Sequence, residues 1–420
     1  MDDSFHQQAT PLPGEIQTHR PQICTFNSFV QHFQKRMFSN KSDRQVMQPH
    51  FNEMRNVRIS KGNLGNPAEA ICSHHLRKAH IKPNRQRMNV ACWSTDGRRL
   101  ACGDDKGFVT LWNNETFNFF KAVGVHQSEN PDYMNPDPEF QGNVEDKIVC
   151  VPIRAMAWSK YSDFVLSGDN DGNIKILTSS LTNFTTLSGA HAGPVQGLSF
   201  SPTDPKYVSC SDDNTVQIWS LEQDFPEKIY SGERAHLSEV KCARWHPYRS
   251  LIASGGHDNM IKLWDPRQAE AITTINSHKK YVLSCSWSNN GNWLASGSAD
   301  HSVKVFDIRA MKEFATFRGH ESKALVTEWH PEHDSLLISG GSTGSLIYWV
   351  VGESDKPHTI IPSAHRGPIL FAEWHPTGHV LATSGLDGNI RFWTKEPPGS
   401  KLEQKSTGYF DNFVAIISIY

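Results

Sequence analysis

Histidine, serine and aspartate, the residue set of a nucleophilic triad, stand at fixed intervals four times in this chain. His191, His236, His278 and His365 are followed 22 positions later by Asp213, Asp258, Asp300 and Asp387, and 28 positions later by Trp219, Trp264, Phe306 and Trp393. Ser209, Ser254, Ser296 and Thr383 lie ten positions before those aromatics. In an enzyme, one such set would have the imidazole take a proton from the hydroxyl while the carboxylate orients the ring. Catalysis needs the set once. Here it recurs in four repeats, so these residues read as scaffold.

The elements that carry the set are short strands. Each acid precedes a run such as MIKLW or NIRFW, and a period of 40 to 45 residues with this punctuation marks WD repeats, each one blade of a β-propeller. A four-stranded blade cannot bury both faces alone, so the blades must stack and close. Strand-like runs end at Trp112, Leu177, Trp219, Trp264, Phe306, Trp349 and Trp393, which predicts an all-β, seven-bladed WD40 propeller over residues 70–396. The gaps are 42 to 45 residues except the first, of 65, where HQSENPDYMNPDPEFQGNVEDK (126–147) reads as a loop insertion. Blade 2 has Leu177 in the aromatic's place and blade 6 has Thr343 in the acid's, so these two lack a full tetrad. Blade 7 supplies three strands before KEPPGS breaks the pattern, and the segment around Ala70 to Ile81 is placed to give the fourth. Residues 1–69 are then a mostly irregular or short-helical extension, with Phe29, Phe33 and Met37 at helical spacing, and 397–420 a tail ending in the apolar FDNFVAIISIY. That ending suits an extra strand or a partner-binding segment alike.

No run of about 18 apolar residues occurs, and MDDSFHQQATPLPGE lacks the apolar core of a signal peptide, so no membrane association is expected. Eight scattered cysteines fit a reducing compartment, with Cys92, Cys242 and Cys285 as small core residues. His246, His330 and His375 recur in Trp-His-Pro or equivalent turns with no cysteine pairs beside them, which predicts turn capping, no metal and no cofactor. The net charge of −2 hides an asymmetry: residues 1–90 hold 13 Lys and Arg against 6 Asp and Glu. HHLRKAHIKPNRQR (74–87) contains Arg77, Lys78, Lys82, Arg85 and Arg87, a density suited to phosphates or nuclear import, although such a row also protects an exposed strand edge.

Beyond the repeats, WSTDGRRLACGDDKGFVTLWNNETFNFF (93–120), FSPTDPKYVSCSDDNTVQIW, GNWLASGSADHSVKVFDIR, FRGHESKALVTEWHP and GPILFAEWHPTGHVLATSG resemble the polyadenylation factor subunit 2 family. In animals this family is the WD-repeat subunit of the cleavage and polyadenylation specificity factor. The resemblance runs from about Ser28 to Pro398 and includes Met47-Gln48-Pro49 and Gly65-Asn66-Pro67, outside the repeats. It implies a non-enzymatic scaffold subunit in the nucleus, docked on the large multi-propeller subunit and beside the CCCH zinc-finger subunit, that helps recognise AAUAAA in pre-mRNA. By motif, Phe119 falls at the family's base-stacking position, Lys82 and Arg85 in its basic segment before blade 1, with Arg87 alongside, and Phe117 in the core. The family's basic run upstream of the SFVQHF-like segment has no counterpart here, since residues 1–27 hold only Arg20. The insertion adds six acids: Glu129, Asp132, Asp137, Glu139, Glu145 and Asp146. A competing motif is the pair Asp265-Pro266-Arg267 and Asp307-Ile308-Arg309, which matches the Asp-x-Arg boxes of cullin-4 ubiquitin ligase receptors and would make Arg267 and Arg309 adaptor contacts. A local turn with an ion pair accounts for the same residues.

Overall fold

Runs of five or six small and apolar residues buried on both faces, such as IASGG and LLISGG, give strands with one face for each neighbouring blade, and the computed structural model assembles them into seven four-stranded antiparallel sheets. It describes residues 67–79, 87–114, 117–129, 148–160, 163–221, 226–232, 235–268 and 270–395. The inner strands (88–93, 153–158, 195–200, 240–245, 282–287, 324–329 and 369–374) pack one against the next around a ring. Seven hydrophobic clusters follow, each shared by two adjacent blades; Val208, Ile218 and Trp264, for example, join blades 3 and 4. Burial of this kind exists only in the assembled ring, so no blade is stable alone.

Closure uses the segment before blade 1. His74–Ala79 pairs antiparallel with Ile390–Thr394 as the outer strand of blade 7, and Pro67–Ala70 is a short 3-10 turn leading into it. The buried Tyr348 hydroxyl donates to the Cys72 carbonyl at 2.6 Å, which ties this lead-in to blade 6.

A second set of ties joins blades through histidine. The Nδ1 atoms of His246, His330 and His375 accept backbone N–H groups two or three residues on, which caps their own turns as expected. Their Nε2–H groups therefore donate outward, to the carbonyls of Gly291, Gly378 and Gly97 in the next blade, at 2.9, 3.0 and 2.9 Å. These three glycines have φ near +70°, and a Cβ on any of them would lie within about 2.5 Å of the imidazole. Indole groups add a further set: Trp158, Trp287 and Trp329 donate to the carbonyls of Cys92, Arg244 and Ser286 in the preceding blade.

His126, the first residue of the expected insertion, is buried in blade 2, and Gln127–Glu129 pairs with Ile148–Cys150 in a two-stranded sheet of their own, apart from the blades. Residues 130–147, with five of the six acids, lie outside the described residues, as do 1–66 and 396–420.

Candidate functional site

The repeated His-Ser-Asp sets form a relay. In blade 3, Trp219 Nε1–H donates to Ser209 Oγ at 3.0 Å, the hydroxyl meets His191 Nε2 at 2.7 Å, and Nδ1 meets Asp213 at 2.9 Å. Indole can only donate and carboxylate only accept, so the Ser hydroxyl donates to Nε2 and Nδ1–H to Asp213. Blade 4 repeats this with Trp264, Ser254, His236 and Asp258. Blade 7 does so with Trp393, Thr383, His365 and Asp387. In blade 5, Phe306 donates nothing, and the relay is Ser296, His278 and Asp300. Burial raises the carboxyl groups of Asp213, Asp300 and Asp387, but the hydrogen bonds from their histidines, together with those from Thr215, Ser302 and Asn389 on the same turns, outweigh it and hold them well below the usual range. The geometry is that of a catalytic triad, yet Ser209, Ser254 and Ser296 are completely buried and the first two have their oxygen engaged by an indole. No substrate can reach them.

Blade 2 lacks a full tetrad, as its Leu177 implied, but it does hold a histidine: His126 Nδ1 meets Asp169 at 2.9 Å and Nε2 meets Ser167 at 2.8 Å, with this acid two residues after the serine where Asp213 lies four after Ser209. The 65-residue gap concealed it, because its acid lies 43 positions away instead of 22. Blade 1 also lacks the tetrad, since Trp112 donates to Thr110 and Cys102 occupies the serine position. In blade 6, Trp349 and His320 share Ser339, while Ser345 approaches Nδ1 only at 3.5 Å.

Phe119 opens the outer strand of blade 1, paired with Trp112 and edge-on to its indole at 6.0 Å. Half of it is exposed, at 50%. Phe117 is fully buried as expected, packed on Phe392 of blade 7 at 4.5 Å, with φ of 49° turning the chain between them. Arg77 reaches this corner from the closing strand and donates from Nη2 to Asn118 Oδ1 at 2.5 Å.

Arg87 is elsewhere. It pairs with Asp105 at 3.5 Å, at the end of the blade where Met88 meets Asp104, opposite the end where Trp112 meets Phe119. A six-residue strand separates them by roughly 17 Å. Lys82 and Arg85 lie outside the described residues. Arg77, which sequence reasoning named only as part of the basic run, is thus the described member of that run beside Phe119; its register on the closing strand was the missing signal.

The Asp-x-Arg turns sit at the same end of the ring. Arg309 forms two bonds with Asp307, Nη2 to Oδ2 at 3.0 Å and Nε to Oδ1 at 3.3 Å, while Arg267 donates its backbone N–H to Asp265. A separate charged set lines the inner strands: Arg244, Glu328 and Glu373 hold the same position in blades 4, 6 and 7. Desolvation between the packed inner strands pushes the half-buried Glu373 up to about 8 and Glu328 to about 7, with Arg244 partly opposing both. It is remote from Phe119 across the sheet.

The family model described as "WD domain, G-beta repeat" matches residues 142–177, 182–220, 227–265, 269–307 and 356–394. This is a WD40-repeat protein. The unmatched blades are 1 and 6, two of those with incomplete tetrads. Along most of its length the chain is also similar to proteins named polyadenylation factor subunit 2. It is 32% identical to that of Neurospora crassa over 82% of this chain and 52% of the relative. It is 32% identical to that of Candida albicans over 85% and 65%, and 36% identical to that of Cryptococcus neoformans over 80% and 44%. The WD40 chain spans about half the length of the curated relatives it matches.

Proposed function

We propose that this WD40 protein is a non-catalytic assembly subunit of the nuclear machinery that cleaves and polyadenylates pre-mRNA, and that it contacts the AAUAAA region. The observation that carries the reading is the similarity to polyadenylation factor subunit 2 over about four-fifths of the chain, including blade 1, where an exposed aromatic stands beside a basic strand. Single-stranded RNA is bound by cations along its phosphates and aromatic faces under its bases. Phe119 would supply the face and Arg77 a cation, with Lys82, Arg85 and Arg87 of the adjoining basic segment meeting phosphates further along. The partners are the large multi-propeller subunit and the CCCH zinc-finger subunit.

Co-purification of a tagged chain from nuclear extract at high salt, read by mass spectrometry, tests the assembly role. Recovery of those two subunits supports it; recovery of cullin-4 and its adaptor refutes it in favour of Arg267 and Arg309. The Arg309–Asp307 pair already satisfies that arginine locally, which favours the turn explanation. For RNA, Phe119→Ala should weaken binding of an AAUAAA oligonucleotide to the assembled complex by roughly 1 to 3 kcal/mol. Unchanged affinity removes the stacking role.

A further inference from the structure

Phe119 has an aromatic neighbour that the strand bulge turns outward. Trp112 pairs with Phe119 and Leu111 with Lys121, so Phe120 is the extra residue of the bulge, a feature that re-aims side chains. Its ring is 61% exposed. Blades 2 to 5 place Phe184, Ile229, Ile272 and Phe314 at the same bulge, all exposed, so exposure there belongs to the repeat.

Two features set blade 1 apart. The preceding position holds a second aromatic, Phe119, where the other blades have Asn183, Lys228, Ala271 and Glu313. A fixed cation also backs the outer ring: the Arg99 guanidinium lies over Phe120 at 5.7 Å while its Nη1 donates to the Ser179 carbonyl of blade 2 at 2.9 Å. Lys121 Nζ is held next to it by the Ser180 carbonyl at 3.0 Å. Arg98, which is paired with Asp96, and Arg77 complete a border that is cationic on balance among the described residues.

We propose that Phe119 and Phe120 form a two-ring platform for two successive unpaired bases of single-stranded RNA, with Arg99 backing Phe120 and Lys121 meeting the adjoining phosphate. The proposal rests on the RNA-contact reading above and extends it. Arg99 lies over the Phe120 ring, which is still 61% exposed, so a base can stack against the exposed part with the cation already in place to strengthen the contact. The positive border selects a polyanion over an apolar protein segment.

The test is fluorescence anisotropy of a labelled single-stranded RNA containing AAUAAA, on the assembled complex carrying the full chain, with Phe119→Ala, Phe120→Ala and Phe120→Tyr. Phe120→Ala should weaken binding by roughly 5- to 150-fold, the equivalent of one stacked base, and Phe120→Tyr should restore it to within about twofold. One abasic substitution in the hexamer should lose its effect in Phe120→Ala. If Phe119→Ala weakens binding and Phe120→Ala does not, the second ring is refuted while the first stands; if neither does, the RNA reading itself falls. Equal loss in Phe120→Ala and Phe120→Tyr, or loss of a protein partner with RNA affinity unchanged, also overturns the platform.

Discussion

Replacing His375 with alanine should loosen the join between blades 7 and 1, and more so at neutral than at acid pH. The imidazole is buried, donates to the Gly97 carbonyl at 2.9 Å and accepts the Thr377 N–H. Alanine strands both groups and leaves a gap beneath Trp93, whose ring centre lies 4.9 Å from the imidazole's. One unsatisfied buried group costs about 1 to 3 kcal/mol, so a loss of about 3 kcal/mol is expected at pH 7.5. With an unfolding entropy of about 2 cal/mol/K per residue over about 330 residues, that lowers Tm by about 4 °C.

The pH dependence has a definite sign. Burial lowers the His375 pKa from 6.5 to about 4, with the Gly97 carbonyl opposing only in part. The unfolded chain therefore takes up a proton first, so the contribution is complete above about pH 6.5 and is lost as pH falls toward 4. By pH 5 the wild type has lost about 2 kcal/mol through this group. The variant has nothing to lose there, so its deficit should shrink from about 3 to about 1 kcal/mol. Thermal unfolding at pH 7.5 and 5.0 would measure both deficits. An equal Tm deficit at the two values would refute the neutral, Nε2-protonated clasp.

Other expectations follow from the same contacts. Ser209→Ala strands both Trp219 and His191, whereas Ser296→Ala strands only His278 because Phe306 has no N–H; chemical denaturation should find the first more destabilising by at least about 1 kcal/mol. Gly97→Ala drives a Cβ into His375, while Gly189→Ala, at a similar φ, meets nothing. Both carry backbone strain of about 1 kcal/mol, but Gly97→Ala should lower Tm by several degrees more.

Much of the ring was legible in the chain because strands have a fixed period and a tetrad lies within one repeat. Spacings of 10, 22 and 28 residues placed Trp219, Asp213 and His191 without reference to any other blade, and the break at KEPPGS located the closing strand. His126 escaped because an insertion stretched its spacing, and the incomplete tetrad of blade 1 escaped because Trp112 still ends its strand as an ordinary blade does. What only the tertiary structure decided lies between blades or depends on register. His375 meets Gly97 across 278 positions, Arg99 is fixed by a turn of blade 2, and a one-residue bulge turns Phe120 outward. Register also sent Arg87 to the far end of the blade from Phe119 and brought Arg77 beside it. Local spacing encodes each blade because hydrogen-bond geometry within a sheet is periodic; which side chains meet across the seams is set by closure of the ring, a constraint that no single repeat contains.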